Sequence, residues 1–227
     1  MRKLQPPRTR TSTSLRARRK RPIPLGVLYL ASRSPQRAML LTRAGIPFTV
    51  VDSTCDEETV WFPDPRTLAL ERARAKAAAA VLSADQRAVK PAVILGADTV
   101  VALGSEIFGK PADRADAVRI LSQLQDSTHT IYTGHCCLRV DAGNAYEATH
   151  VTMTHVTMRP MSRQEIEDYV ASGESDGRAG AYAIQETGDR FLAGIHGDWD
   201  TVVGLNIALT ARLHLECTDT WPDGYRD

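Results

Sequence analysis

The stretch AVILGADTVVALGSEIFGK, residues 92–110, decides the fold because it sets a charged residue inside a long apolar run. Residues 92–103 predict a buried strand that continues into a second extended stretch. Gly104-Ser105 is a tight-turn signal, after which residues 106–110 run back along the strand. The stretch therefore predicts a hairpin at the centre of a sheet.

Asp98, in the motif GADT, lies where this strand leaves the apolar core. A buried carboxylate is costly unless it meets a cation or hydrogen-bond donors. A turn centred between Gly104 and Ser105 pairs Thr99 with Lys110. Unless the register is shifted by a residue, this pairing places Lys110 beside Asp98. Each residue taken alone also has a simpler interpretation, in which Asp98 caps a turn and Lys110 lies in solvent.

Strands and helices alternate on both sides of this hairpin, which predicts an α/β domain with a mixed twisted sheet flanked by helices. Ser34 and Pro35 are start signals for the first helix, Gly45 closes it, and Ser162 with Glu165 forms a capping box. The predicted strands and extended pieces are 25–31, 48–51, 92–103, 106–110, 129–140, 145–158, 181–184 and 190–196, and the predicted helices are 35–44, 67–82, 112–125, 163–172 and 203–215.

The motif SRSPQR, Ser32 to Arg37, stands at a strand-to-helix junction. The free N–H groups of the helix start, the hydroxyls of Ser32 and Ser34, and the planar fork of Arg37 could converge on a phosphate. The alternative is a simple N-cap followed by a solvated arginine.

Charge is distributed unevenly along the 227 residues. Residues 1–24 hold nine of the 28 Lys and Arg and no acidic residue, so the rest of the chain carries 19 basic and 27 acidic residues, a net charge of −8. An acidic body argues against a nucleic-acid-binding domain. The tail has too little apolar surface to fold, and it is compatible with a disordered extension, a phosphate-seeking arm, or a nuclear or mitochondrial address.

Other patterns narrow the class of protein. No apolar run is long enough to span a membrane, no secretory signal is recognisable, and the four cysteines are expected to be reduced thiols of a cytoplasmic protein. The sequence has no P-loop, nucleophile elbow or Rossmann fingerprint. His150 and His155 face opposite sides of an extended segment and do not form a metal pair.

Taken together, these motifs resemble the Maf family, also called septum-formation-inhibitor-like proteins, over about residues 27–215. The carriers are LASRSPQRAMLL, the acidic run DEE (56–58), ARAKA around Lys76, ILGADTVV, FGKP, the TIYTG stretch, YVASGE, RAGAYAIQ and IHGDWDTVVGL.

The resemblance implies one domain (25–227) with two lobes around a central cleft, frequent homodimers, and cleavage of nucleoside triphosphates into monophosphate and pyrophosphate with Mg²⁺ or Mn²⁺. By motif, Asp98 corresponds to the proton acceptor and Glu57 to a metal-associated carboxylate, while Lys76, Lys110 and Arg37 correspond to phosphate-binding cations. We predict Asp98 and Lys110 as the catalytic pair. The residues are compatible with three roles for Asp98: base, metal ligand, or both.

Substrate choice follows from a comparison within the family. Members that act on 7-methyl-GTP tend to have GSDQ where this chain has GADT, and Ser-Glu where it has Ile184-Gln185. An amide suits the donor and acceptor of uracil or thymine, whereas a carboxylate suits the two donors of guanine. A flipped amide also suits cytosine, which leaves CTP and modified pyrimidine nucleotides open as substrates. We therefore predict a dTTP/UTP-type enzyme with Thr99 and Gln185 near the base, and 7-methyl-GTP as the alternative substrate.

Two positions depart from the family pattern. Gln36 stands where the family usually has the first of two arginines, and the usual DKAGAY is GRAGAY, with Gly177 in the acidic place and Arg178 in the basic one. The first departure weakens one expected phosphate contact, and the second removes a carboxylate.

Two other classes of function compete with the enzyme. A non-catalytic nucleotide-binding regulator of cell division would have no need for Asp98 as a base. A protein that binds RNA through its basic tail would lose that binding when residues 1–24 are deleted.

Overall fold

The computed structural model describes residues 27–88, 91–141, 144–184 and 190–218. The predicted basic tail, residues 1–24, and Gln185 lie outside the described residues.

The described chain forms a mixed α/β fold, as predicted. The strands are β1 (Leu28–Leu30), β2 (Phe48–Val50), β3 (Ala92–Leu103), β4 (Glu106–Phe108), β5 (Thr128–Asp141), β6 (Asn144–Met158) and β7 (Leu192–His196). The helices are α1 (Pro35–Arg43), α2 (Pro65–Ala78), α3 (Ala84–Ala88), α4 (Arg114–Leu124), α5 (Arg163–Ser172), α6 (Trp199–Val203) and α7 (Ile207–Thr218), with short 3₁₀ turns at Glu57–Thr59 and Ala179–Ala181.

One seven-stranded sheet, in the order β2-β1-β3-β5-β6-β7 with β4 also paired to β3, organises the molecule. Strands β1 and β2 are parallel to each other, and β1 is parallel to β3. The pairings from β3 through β5 and β6 to β7 are antiparallel. The sheet is therefore mixed, and β3 is the strand where parallel and antiparallel parts meet.

The two edges of β3 are used differently. Along one edge, β5 pairs with β3 continuously from Ala92 to Ala102. Along the other edge, β1 pairs with β3 only at residues 93–95 and β4 only at residues 101–103. Among the described residues, no strand covers residues 96–100 on this second edge, which we call the split edge. Asp98 lies in the middle of it.

Separate hydrophobic clusters pack toward the two ends of β3. Val93 and Leu95 pack with residues of α1 and α7. Val101 instead belongs to a cluster with residues of α4 and α5. The two-lobed arrangement implied by the family resemblance thus corresponds to two cores joined by the long strands β3, β5 and β6, each of which has residues in both clusters.

Helix α2 lies unusually close to the sheet because small residues face each other. Ala69, Ala73 and Ala77, spaced four residues apart on one face of the helix, are fully buried. On the sheet side, a Cβ at Gly96 would come within 2.1 Å of the Ala73 carbonyl oxygen, and one at Gly134 within 2.2 Å of the Ala69 carbonyl oxygen. Only glycine at these two positions allows this separation.

Helix α5 agrees with its predicted bounds. The Ser162 side chain accepts a hydrogen bond from the Glu165 N–H, the Glu165 carboxylate accepts one from the Ser162 N–H, and Gly173 ends the helix with φ of 84°. Both signals are local, which is why the sequence located this helix so well.

Three predictions are corrected. The helix predicted at 203–215 starts later, as α7 at Ile207, because Gly204 ends the preceding short helix α6 with a φ of 116°. Residues 181–184 were predicted as an extended piece; Ala181 instead ends a 3₁₀ turn, Ala179–Ala181, whereas Tyr182 is extended, with φ of −145° and ψ of 159°. The return strand β4 ends at Phe108, two residues before Lys110.

Candidate active site

A cavity of about 800 Å³ opens at the split edge of β3. Its lining includes nine of the ten residues that the sequence singled out for the site: Ser32, Ser34, Gln36, Arg37, Glu57, Lys76, Asp98, Thr99 and Lys110. The tenth, Gln185, lies outside the described residues. Segments far apart in the sequence therefore converge on one cleft.

Lys76 joins two carboxylates at the centre of this cleft. Its Nζ lies 2.6 Å from Oδ1 of Asp98 and 3.0 Å from Oε1 of Glu57. The Lys76 and Asp98 side chains are 9% and 7% exposed, whereas that of Glu57 is 36% exposed. The close approach of α2 to β3 puts Lys76 here, since its position on the helix is next to Ala77, which packs against Gly96.

The cation in contact with Asp98 is Lys76 and not Lys110, which corrects the pairing predicted from the hairpin. The register itself was right, because Val101 pairs with Phe108 and Leu103 with Glu106. The ladder stops there, and Lys110 is an exposed residue on the cavity wall. It acts on the site through its charge, which lowers the pKa of Glu57.

Glu57 stands at the start of a 3₁₀ turn that its neighbour caps. The Asp56 carboxylate accepts a hydrogen bond from the Glu58 N–H at 3.1 Å. Burial by itself raises the pKa of Glu57, but the charge and hydrogen bond of Lys76, with the charges of Lys110 and Arg37, outweigh it and the net pKa is lowered. Glu57 is therefore held ionised.

Arg37 is buried and faces the cleft from the first turn of α1. Its Nε donates to the Gly204 carbonyl at 2.8 Å, while its two terminal nitrogens donate to the hydroxyls of Ser32 (2.9 Å) and Thr99 (3.2 Å). Within the described part of the chain, these acceptors are uncharged. Burial lowers the pKa of Arg37, and the charges of Asp98 and Glu57 oppose that shift. A buried guanidinium without a direct anionic partner is suited to an anionic ligand.

The start of α1 lies beside Arg37 at the same wall of the cavity. Ser32 Oγ accepts from the Ser34 N–H at 3.3 Å, and Ser34 is the N-cap residue, although its own side chain makes no capping bond. The first N–H groups of a helix lack intrahelical partners and favour anions. The residues of SRSPQR that the sequence predicted to bind phosphate therefore lie together at one wall of the cavity, and phosphate binding itself stays a prediction.

Arg178 is a cleft residue whose role the sequence did not reveal. In the amide orientation that satisfies both neighbours, the Gln36 nitrogen donates to Ser34 Oγ. The Gln36 oxygen then accepts from the Arg178 guanidinium, one of whose terminal nitrogens lies 3.1 Å away. Arg178 precedes the 3₁₀ turn, which is fixed to the β4 side because the Gly180 N–H donates to the Gly109 carbonyl. The two departures from the family pattern therefore contact each other across the cleft.

Further into the cavity the lining becomes apolar. Val101 and Ile131, paired across β3 and β5, are buried residues of the cavity floor. Tyr182, Ile184 and Val202 complete this part of the wall. Along β3, Thr99 lies between the charged Asp98 and the apolar Val101, and we call the corresponding parts of the lining the charged end and the apolar end.

The sheet, the paired carboxylates and the cations around them define an α/β protein with a cleft for a phosphate-bearing ligand. The chain matches the Maf-like protein family over residues 27–216 and belongs to that family.

Relatives of known name support this membership. The chain is 37% identical over 193 residues to the dTTP/UTP pyrophosphatase of Alcanivorax borkumensis, which covers 85% of this chain and 96% of that protein. It is 42% identical over 188 residues to the dTTP/UTP pyrophosphatase of Moorella thermoacetica, covering 82% and 92%. It is 39% identical over 198 residues to a nucleoside triphosphate pyrophosphatase of a Synechococcus strain, covering 86% and 98%.

Two general expectations can also be compared with the structure. None of the described helices has the length and apolar character needed to cross a membrane. Cys55, Cys136, Cys137 and Cys217 are free thiols, as predicted.

Proposed function

We propose that this protein is a pyrophosphatase that cleaves the α–β phosphoanhydride of pyrimidine nucleoside triphosphates, dTTP and UTP first among them. The observation that carries the proposal is Asp98. Its Oδ1 is held by Lys76, while its Oδ2 is buried and has no hydrogen-bond partner among the described residues. A carboxylate with one oxygen free of hydrogen bonds, in a cleft lined by cations, is suited to accept a proton from water.

The reaction follows from where the groups lie. The triphosphate occupies the charged end of the cavity, with Arg37 and the start of α1 on one wall and Lys110 and Arg178 on the other. A water oxygen bonds to the α-phosphorus while its proton passes to Oδ2 of Asp98. The bond to the bridging oxygen breaks, and pyrophosphate leaves with that electron pair. The products are the nucleoside monophosphate and pyrophosphate.

Lys76 makes this proton transfer workable at neutral pH. Two carboxylates at one site repel each other, and that repulsion favours protonation of one of them. Lys76 lies between Asp98 and Glu57 and offsets the repulsion with its own charge. It acts as a positioning residue that lowers the pKa of Glu57 and holds Oδ1 of Asp98 in place.

A divalent cation, Mg²⁺ or Mn²⁺, belongs to the proposal. Mg²⁺ is usually held by one or two carboxylates together with substrate phosphates and water. Glu57 and Asp98 fit that donor set, since both are carboxylates at the charged end of the cavity. When bound, the cation supplies positive charge to the phosphate oxygens.

The choice of pyrimidines rests on the relatives and on the cavity. Two of the relatives are named dTTP/UTP pyrophosphatases, and the apolar end beside Thr99 accommodates a base. The alternative substrate is 7-methyl-GTP, and the alternative class is a non-catalytic nucleotide-binding regulator. Assembly as a homodimer and a cytoplasmic location remain predictions.

The deciding experiment measures pyrophosphate release from dTTP, UTP, CTP, GTP and 7-methyl-GTP with Mg²⁺ and with Mn²⁺. We expect turnover of dTTP and UTP by the wild-type protein and a loss of at least about 100-fold in kcat for Asp98→Asn, the size of a lost general base. Asp52→Asn is the matched control, because Asp52 is an exposed carboxylate paired with Arg33. Tight nucleotide binding without turnover would favour the regulator, and preferred turnover of 7-methyl-GTP would favour the other substrate.

A further inference from the structure

A chain of hydroxyl groups runs from the cavity into the protein behind Thr99. The Oγ1 atoms of Thr99 and Thr133 lie 3.1 Å apart, and Thr133 donates its own proton to the Thr201 carbonyl at 2.7 Å. Thr133 is fully buried and pairs directly with Thr99 across β3 and β5. Thr99 itself reaches the cavity surface.

These contacts fix the direction of every proton in the chain. A threonine hydroxyl has one proton and two lone pairs. Thr133 has given its only proton to the Thr201 carbonyl, which cannot donate, so Thr133 can only accept from Thr99. The Thr99 oxygen also accepts from Arg37 at 3.2 Å. Its proton and one lone pair are therefore committed, and a single lone pair remains for a ligand in the cavity.

The end of α6 keeps this chain in place. The helix stops at Gly204, where the N–H groups of Gly204 and Leu205 both donate to the Asp200 carbonyl. The carbonyls of Thr201 and Gly204 therefore accept hydrogen bonds from the side chains of Thr133 and Arg37. Carbonyl groups at a helix end commonly need such partners. The acceptor of the Thr133 proton is thus a rigid backbone group.

We infer that Thr133 is a specificity-determining positioning residue that turns Thr99 into a pure hydrogen-bond acceptor toward the base. The inference rests on the proposed function. N3–H of uracil or thymine is a donor and suits such an acceptor, whereas N3 of cytosine is an acceptor and opposes it. Thr133, which does not line the cavity, thereby favours UTP over CTP.

Thr133→Val tests this inference because valine has the shape of threonine without its hydroxyl. The Thr99 proton is then released and can be donated to N3 of cytosine. We expect the ratio of kcat/KM for UTP to that for CTP to fall about 10-fold or more, the size of one directed hydrogen bond. Thr133→Ser retains the hydroxyl and should retain the wild-type ratio. Thr133→Cys, a weak donor and acceptor, should lie between them and also serves if the valine protein does not fold.

A general loss of packing would reduce turnover of both nucleotides together and leave the ratio unchanged. An unchanged ratio in Thr133→Val or, failing that, in Thr133→Cys overturns the inference, as does a wild-type protein that cleaves UTP and CTP equally well. A fall in the ratio for Thr133→Ser also overturns it, since the hydroxyl is still present. Failure of the proposed function is a separate outcome, in which the wild-type protein cleaves no pyrimidine triphosphate at all.

Discussion

At the scale of single residues, Lys76 has the greatest influence on the charges of the cleft. It is a cation, 9% exposed in its side chain, with one carboxylate on each side. Its hydrogen bond and charge both lower the pKa of Glu57. The protonation of the site therefore depends on a residue that takes no part in bond making.

Replacing Lys76 should shift the pH dependence of the reaction. In Lys76→Met the pKa of Glu57 rises, because burial favours the neutral acid and its main cationic partner is gone. Glu57 must be ionised to hold a cation. When the solution is acidified, Lys76→Met should therefore lose activity at a higher pH than the wild-type protein does. The measurement is kcat/KM for dTTP between pH 4 and 9.

Arg74→Met is the control for this shift. Arg74 lies on the same helix but pairs with Glu71 and Glu147, outside the cavity. If Lys76→Met keeps the acidic limb of the wild-type profile, Lys76 does not set the protonation of the site.

Arg178 gives a second residue-scale prediction. It already donates to the neutral oxygen of Gln36, and a phosphate would be a stronger acceptor for the same guanidinium. Arg178→Gln should raise KM for dTTP by about 10-fold, the size of one charged hydrogen bond, with little change in kcat. Arg119→Gln, an exposed arginine on α4, is the control. A selective loss of kcat would instead place Arg178 at the reacting bond.

The residues of the site were predictable to the extent that chemistry marks them. A carboxylate after five largely apolar residues, as at Asp98, requires a partner, and the sequence indicated that need. It named Lys110 as the partner, because hairpin spacing is visible along the chain while the approach of Lys76 from α2 is not. Thr133 gave no signal, since a threonine on a strand is ordinary until its neighbours are known.

At the scale of elements, the contact between α2 and the sheet positions the catalytic groups. A methyl group at Gly134 would meet the Ala69 backbone, with carbon and oxygen atoms at 2.2 to 2.4 Å. Gly134→Ala should therefore push α2 outward and lower the free energy of unfolding by about 1–3 kcal/mol, as overpacking commonly does. It should also lower kcat, because Lys76 moves with the helix.

Thermal or urea denaturation and the kinetics of dTTP cleavage test this prediction together. Gly194→Ala is the matched control, since a Cβ at that glycine of β7 meets nothing within 4 Å. Equal stabilities of the two variants would mean that α2 is not held by this close contact.

Elements were predictable where their signals are local. The capping box and the terminal glycine of α5 lie at the two ends of the helix, and its bounds agreed. Apolar periodicity, by contrast, continues through Gly204 and predicted a helix start at 203, whereas the chain breaks at Gly204 and α7 starts at Ile207. The break is stabilised by distant residues: the Asn206 N–H donates to His135 and the Gly204 carbonyl accepts from Arg37.

At the scale of the whole molecule, two buried histidines make stability depend on pH. Burial lowers the pKa of His135 to about 3 and that of His129 to about 4, from 6.5. Between pH 6.5 and these values the unfolded chain binds protons that the folded protein does not. Stability therefore falls as pH falls through this window, by about 2 kcal/mol per histidine between pH 7 and pH 5.

Denaturation in urea at pH 7 and pH 5 measures this loss. His135→Gln should show a smaller loss of stability between pH 7 and pH 5, because glutamine takes up no proton in this range. His196→Gln, an exposed histidine on β7, should behave like the wild-type protein. An unchanged loss in His135→Gln would show that His135 is not neutral in the folded protein.

The continuity of β3 through both hydrophobic clusters has an evolutionary consequence. Asp98 sits on a ribbon common to the two halves, whereas the apolar wall around Tyr182 and Val202 comes from segments further along the chain. Substitutions in those later segments can reshape what the enzyme recognises without displacing the group that performs the cleavage. New substrate ranges can therefore arise within this lineage by changing one wall while the inherited chemistry stays in place.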